Sequence, residues 1–270
     1  MIHLDDSFKV EIASSSKGDQ RKFYKDGYWV KLDNEGYFEG LAEEFVSYFC
    51  TCIEGFSFVE YRTSMFEYNE RQFRGCVSKT MFGDKNICFT SIKSLAKSYN
   101  VPLKNFVCQS SVEQNIINTV AFIRDNFGVN ILSYLGRLLM LDCIIINEDR
   151  HLMNLGICYN KKLGVYMEAP CFDNGTSLFC TYWSYRKRKS LEENIEFAKS
   201  VAKPFSKFYD KQLSALLNLG CKPLLINKVR LEYILDWYTN DLYPKEVLDR
   251  VKAVLLNRLR YYEGSAFIYV

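Results

Sequence analysis

The stretch Ile146–Gly175, "INEDRHLMNLGICYNKKLGVYMEAPCFDNG", decides how the rest of the chain is read. It follows an apolar run at 135–146, "LGRLLMLDCIII", whose spacing predicts a helix over 130–146. It then places an acid, a guanidinium, an imidazole and an amide within residues 149–154. Packing alone would not choose that mixture. Two apolar runs, "LGICY" and "VYMEAP", flank the turn "NKKLG" and predict a hairpin. Asp149 and Asn154 stand just before the hairpin, and Asp173 just after it. Three oxygen-bearing side chains therefore converge on the two ends of one short hairpin.

That arrangement suits phosphoryl transfer. One carboxylate orients or deprotonates an attacking hydroxyl, while an amide and a second carboxylate hold the hard cation Mg²⁺ through oxygen. Protein kinases keep an Asp and an Asn five residues apart and follow them with an Asp-x-Gly. Here the counterparts are Asp149, Asn154 and Asp173–Asn174–Gly175. Taken singly, Asp149 and Asn154 also read as cap or turn residues, and "DNG" as a bare turn. Their joint spacing around the hairpin favours the active-site reading. His151 sits two residues past the candidate base, where kinases often keep a lysine near the transferred phosphate. It reads equally as a phosphate contact or as a group that orders the loop. Arg150 is expected to pair with a neighbouring carboxylate and fix the loop.

Working towards the N-terminus, residues 28–33, "YWVKLD", predict a strand with Trp29 and Lys31 on one face and Val30 and Leu32 on the other. "SFKVEIAS", 7–14, reads as an earlier strand, and "SSSKGDQRKFYKDG" as polar turn chemistry between the two. A helix is predicted over 37–53, and strand-like texture over 56–82. Nucleotide phosphates need backbone N–H groups and positive charge. Neither G-x-G-x-x-G nor G-x-x-x-x-G-K-[ST] is present. The candidate is "SSSKGDQRK", 14–22, with one glycine and three basic residues. It gains weight from Lys31, a lysine inside an apolar strand, for which the downstream motifs favour a phosphate-binding role over that of an edge-strand lysine that blocks aggregation. The partner carboxylate for Lys31 would come from Glu39, Glu43 or Glu44. Helical phase puts Glu44 nearest the edge of the apolar face and Glu43 farther round, and does not choose between them.

Beyond the first 80 residues the texture becomes helical, at 91–100, 112–126 and 130–146. From about 190 to the end it is helical in four segments, broken near Pro204, Gly220–Pro223 and Pro244. The expected fold class is α+β, with a small mixed α/β N-lobe over 1–80 and a larger helical C-lobe over 81–270. A chain of 270 residues, 48% hydrophobic and 25% charged, has the composition of a folded protein, and 16% aromatic content argues against disorder. A net charge of +3 does not argue for direct nucleic-acid binding. Ten cysteines lie mostly in apolar runs, and Cys50 and Cys52 lack a zinc spacing. Free thiols in a reducing cytoplasm are expected. No apolar stretch reaches the ~20 residues of a membrane span, and no signal peptide opens the chain. A cytoplasmic protein is the expectation, with export as an effector left open.

The segments "SSKGDQRK", "VKL", "EDRHLMN" and "FDNG" together resemble the HipA-like serine/threonine kinases. The smaller, cell-translocating-kinase-like branch is the more similar, because full-length HipA toxins carry an extra N-terminal subdomain. The resemblance covers about 15–180. It implies a two-lobed protein-kinase-like fold, ATP and Mg²⁺ as cofactors, and a protein substrate with a serine or threonine acceptor. It leaves room for an antitoxin or cognate regulator as partner. "EGLAEEFVS" then implies Glu43 as the partner of Lys31, with Glu44 in reserve. The implied ATP site comprises Ser15, Ser16, Lys17, Gly18, Asp19, Gln20, Lys22, Lys31, Glu43 and Val77. Asp149 and His151 would be catalytic, and Asn154 and Asp173 would bind metal. The family's autophosphorylated loop serine maps to Ser15, with Ser14 and Ser16 as neighbours that would substitute. A phosphate there would add about two negative charges beside Lys17, Arg21 and Lys22 and compete with ATP. The loop departs from the family at Lys17 and Asp19, where small residues are frequent.

"DRHLMN" is also similar to the "DRHxxN" of phosphatidylinositol kinases. The aromatic and basic run "YWSYRKRKS", 182–190, would suit a lipid headgroup or an acidic protein segment, or simply be solvated. A nucleotide-binding pseudokinase is a third reading. Retention of Lys31, Asp149, Asn154 and Asp173 together weighs against it.

Overall fold

The alternation around Lys31 builds a sheet whose two faces do different things. The computed structural model describes residues 2–8, 20–199 and 201–270. In chain order its elements are β1 (Ile2–Leu4), β2 (Lys22–Lys25), β3 (Tyr28–Leu32), α1 (Glu39–Cys50), β4 (Tyr61–Tyr68) and β5 (Arg71–Lys79). Then come β6 (Ile87–Ser91), α2 (Ile92–Ser98), α3 (Lys104–Val107), α4 (Val112–Phe127), α5 (Leu132–Ile145), β7 (Gly156–Asn160) and β8 (Val165–Glu168). The chain continues with α6 (Trp183–Arg186), α7 (Leu191–Ala198), α8 (Tyr209–Asn218), β9 (Leu224–Ile226), α9 (Lys228–Trp237), α10 (Lys245–Tyr262) and β10 (Phe267–Tyr269).

The first sheet has the order β1-β4-β5-β3-β2. Asp26 and Gly27, both with positive φ, close the β2–β3 hairpin between the paired Lys25 and Tyr28. Two such residues match the twist of the flanking strands. Lys31 faces Lys22 on one side and Cys76 on the other, and Trp29 faces Tyr24 and Ser78. Directly opposed residues share a sheet face. Lys22, Tyr24, Trp29, Lys31, Cys76 and Ser78 therefore line one face. Phe23, Val30 and Leu32 point the other way, into a small cluster with Leu4, Phe66 and Tyr68.

The main core runs from α1 through α5 to α10 without a break. Along α1 every residue from Glu39 to Ser47 is buried, as are Phe49 and Cys50. Each fully buried Leu or Phe contributes about 1.5–3 kcal/mol. Polar clamps hold the start and the middle of this helix. Asp33 accepts from the Gly40 backbone N–H at 2.7 Å and from the Tyr243 hydroxyl at 2.9 Å. Glu44 accepts from the Thr63 N–H (2.9 Å), the Tyr238 hydroxyl (2.7 Å) and the Asn240 amide (2.8 Å). Because α1 is covered on all sides, helical phase does not sort Glu43 from Glu44.

β6, β7 and β8 form a second antiparallel sheet of three strands. β7 and β8 are the hairpin expected between the two polar segments. The four C-terminal helices lie at α7, α8, α9 and α10, with breaks near the expected prolines and glycine. All ten cysteines are free. No helix among the described residues is long and apolar enough to cross a membrane.

Several expectations fall. Of the strand expected at 7–14, residues 7 and 8 sit in a 3-10 turn, and the remainder lies outside the described residues. Residues 22–25 form a strand and not a turn, because Asp26–Gly27 alone is enough to reverse the chain. A strand, β6, precedes α2. The C-terminus is not helical to its end: β10 pairs in parallel with β9.

Candidate active site

Lys31 projects from β3 under α1 and is 8% exposed. Its Nζ donates to Glu43 Oε1 at 2.5 Å and to Asp173 Oδ1 at 2.6 Å. Burial alone would drive the ammonium toward neutrality. The carboxylates of Asp173 and Glu43 outweigh it and hold the group well above its ordinary pKa. Glu43 is 1% exposed and also accepts from the Asn174 N–H at 2.8 Å, which ties α1 to the Asp173 segment. Glu44 instead serves the clamp to Thr63, Tyr238 and Asn240. Asp173 occupies the left-handed region, with φ of 61°, a conformation Asp tolerates better than most residues. Burial would push its carboxyl up, but Lys31 and then Lys22 bring it well below the usual carboxylate range. Asn154 Nδ2 donates to the other carboxylate oxygen at 2.9 Å. Lys31, Glu43, Asp173 and Asn154 thus form one connected set.

The loop between α5 and β7 is held from beneath by Arg150, which is 0% exposed. Its guanidinium donates to both oxygens of Asp142 at 2.9 and 3.0 Å, to the Phe172 carbonyl at 2.7 Å and to Asn174 Oδ1 at 2.6 Å. The neighbouring carboxylate expected for Arg150 is Asp142, and the same side chain also holds the segment carrying Asp173. Arg150→Met should therefore lower stability by about 3–5 kcal/mol, because it leaves Asp142 charged and buried without a partner. An unchanged melting temperature would contradict this role.

Asp149, on the same loop as Asn154, has 41% of its side chain exposed. Its Oδ1 accepts from Lys203 Nζ at 2.7 Å. His151 Nε2 lies 3.7 Å from its Oδ2, and among the described residues His151 Nδ1 is buried with no hydrogen-bond partner. The Asn147 side chain accepts from the Asp149 N–H at 3.0 Å and from the Thr176 hydroxyl at 3.0 Å. Lys203 comes from the segment after α7, and the sequence reading did not include it.

A cleft of about 630 Å³ runs from Lys31 and Asp173 along the first sheet, lined by Lys22, Tyr24, Trp29, Tyr61, Ser78 and Phe172 among others. Val77 was expected here. Its side chain lies on the opposite face, packed against the Phe23–Phe66 cluster, because alternation gives the cleft Ser78 instead and turns the buried Cys76 to the same face. Gln20 is half-buried, and its Nε2 has no partner among the described residues. Ser15, Ser16, Lys17, Gly18 and Asp19, with Ser14, lie outside the described residues. Tyr24 and Trp29 were not named as site residues, although the same alternation that places Lys31 also places them.

Beside the site, burial raises the Glu39 carboxyl from 4.5 to about 7 and that of Asp33 to about 6. The folded chain then binds the Glu39 proton more tightly than the unfolded chain does. This contribution is complete below pH 4.5 and is lost as pH rises through about 7. The loss is of the order of 3 kcal/mol. Glu39→Gln should flatten the fall in melting temperature between about pH 5 and pH 8; an unaltered slope would count against it.

Asn154 and Asp173 offer an amide and an ionised carboxylate side by side, a hard-oxygen pair that fits Mg²⁺. Among the described residues no group of three His, Cys, Asp or Glu gathers as a metal site, so the candidate position rests on that pair.

No protein-family model and no curated protein sequence matches the chain. Solved structures do. The Helicobacter pylori proinflammatory kinase CtkA is 16% identical over 96% of this chain and 94% of its own, with a TM-score of 0.61. HipA from the Shewanella oneidensis MR-1 toxin–antitoxin system, solved with HipB and operator DNA, is 12% identical over 97% of this chain and 67% of its own, with a TM-score of 0.45. The chain has the mixed α/β, kinase-like fold of CtkA.

Proposed function

We propose that the protein is an ATP-dependent serine/threonine kinase of HipA-like type. The observation that carries this reading is Lys31, held between Glu43 and Asp173 with Asn154 on the other oxygen of Asp173. A binding module has no need for a buried ammonium that two carboxylates keep charged next to an oxygen-donor pair. In this reading residues 1–80 form an N-lobe and 81–270 a C-lobe.

Lys31 binds the α- and β-phosphates, and Glu43 keeps it aimed into the cleft. The face made by Tyr24, Trp29 and Tyr61 takes the nucleoside. Asp149 orients the acceptor hydroxyl and takes its proton. Lys203 and His151 flank that carboxylate, where the transferred phosphate gathers charge. Asn154 and Asp173 would hold Mg²⁺, which when bound neutralises charge on the phosphates.

Purified protein with Mg²⁺ and γ-labelled ATP should label itself or a generic protein substrate, and Asp149→Ala should not. Wild type behaving like Asp149→Ala would sink the reading. Transfer to phosphoinositide vesicles but not to protein would replace it with a lipid kinase. Ser15→Ala should retain activity on a second protein while losing most self-labelling. Mass spectrometry that finds the self-phosphate elsewhere would refute that site.

A further inference from the structure

A second groove, of about 1010 Å³, adjoins Asp149. Its walls come from α6, α7 and the segment 201–207, and its lining includes Lys203, which bonds Asp149. Tyr185 and Phe197 line it and are 51% and 55% exposed, a large apolar surface to leave in water. The two acids next to Lys203 are taken, Glu148 by Arg186 and Asp149 by Lys203 itself, and the glutamates of α7 are not among the residues that line the groove. Among the described residues, the charge on its lining that has no ion-pair partner is that of Lys207. Lys207 is exposed on the lining, and Lys187 and Arg188 are exposed just after α6. Arg186 is 4% exposed, and its Nη1 has no hydrogen-bond partner among the described residues.

We propose that this groove seats the protein segment carrying the acceptor hydroxyl, and that the segment it fits is acidic with a large apolar side chain near the acceptor. The proposal rests on Asp149 as the acceptor-facing base. Charge complementarity selects the acidic residues. The aromatic walls select the apolar one, since such side chains anchor recognition when they leave water. A lipid headgroup fits less well. Arg186 is locked inside on Glu148, so the basic run does not present all its cations outward.

The test separates docking from transfer. A short fluorescein-labelled peptide carries glutamates and a phenylalanine around an alanine in the acceptor position. Its control replaces the glutamates by lysines. Fluorescence anisotropy at low salt should show the acidic peptide binding about tenfold tighter. Lys207→Glu and Phe197→Ser, both at exposed positions, should each weaken it about fivefold and leave ATP affinity unchanged. Equal binding of the two peptides, or binding indifferent to both substitutions, would overturn the proposal. So would displacement of the acidic peptide by phosphoinositide vesicles. If the peptide docks as stated but its serine version is never phosphorylated, the groove stands and the kinase reading fails. If it is phosphorylated at rates indifferent to Lys207 and Phe197, the kinase reading stands and the groove assignment falls.

Discussion

Asp149→Asn should lower phosphoryl transfer by roughly 10²–10⁴-fold while barely changing the affinity for ATP. The substitution keeps the size and the hydrogen-bonding reach of the side chain but removes its ability to take a proton. The fold should hardly notice. Asp149 and Lys203 are both more than 40% exposed, and such ion pairs contribute about 0–1 kcal/mol. Melting curves should therefore overlay, and the loss should appear in the single-turnover rate. A variant that transfers phosphate at the wild-type rate would remove Asp149 from the chemistry. If ATP affinity fell instead, Asp149 would be a nucleotide contact and not a base.

Asp173→Asn should abolish Mg²⁺-dependent nucleotide binding. The change touches two things at once. It removes the only carboxylate of the candidate cation pair, and it takes one of the two counter-charges from Lys31. Changes in the outer shell of metal sites already cost 10–100-fold in affinity, so roughly 100-fold or more is expected for a ligand itself. Calorimetry with ATP, run with and without Mg²⁺, separates the two effects. The variant should lose the difference between the two titrations, while a weaker, metal-independent component on Lys31 and Lys22 persists. Unchanged affinity in the presence of Mg²⁺ would contradict the assignment.

The parts of the site that sequence disclosed are those held close along the chain. Asp149, Asn154 and Asp173 are bracketed by one hairpin whose apolar strands announce themselves, so spacing and local structure carried the reading. Lys31 showed because an ammonium in an apolar strand needs a reason. Lys203 gave no such signal. It reaches Asp149 across 54 residues, from a segment with no periodicity of its own. Val77 fails by parity: a one-residue slip along a strand moves a side chain to the other face, and only the pairing of β3 with β5 fixes which residues face the cleft. Glu43 and Glu44 could not be sorted by phase, because amphipathic reasoning needs a wet side and α1 has none. β9 and β10 were missed because three-residue strands paired across the length of the C-terminal region leave no pattern in either.

The clamps on α1 have a consequence for ligand design. In protein kinases the position of the helix that carries the lysine's glutamate partner is a point of control, and swinging such a helix outward would open a pocket behind it. Here the helix belongs to the main core, and both its flanks are bonded to the far end of the chain through Tyr238, Asn240 and Tyr243. Moving it would expose Leu41, Phe45 and Phe49 and strand the Glu44 carboxylate. A compound that needs that pocket must supply the energy of dismantling the core. Selective chemistry should instead be sought against surfaces that are already open, the cleft beside Trp29 and the groove lined by Tyr185 and Phe197.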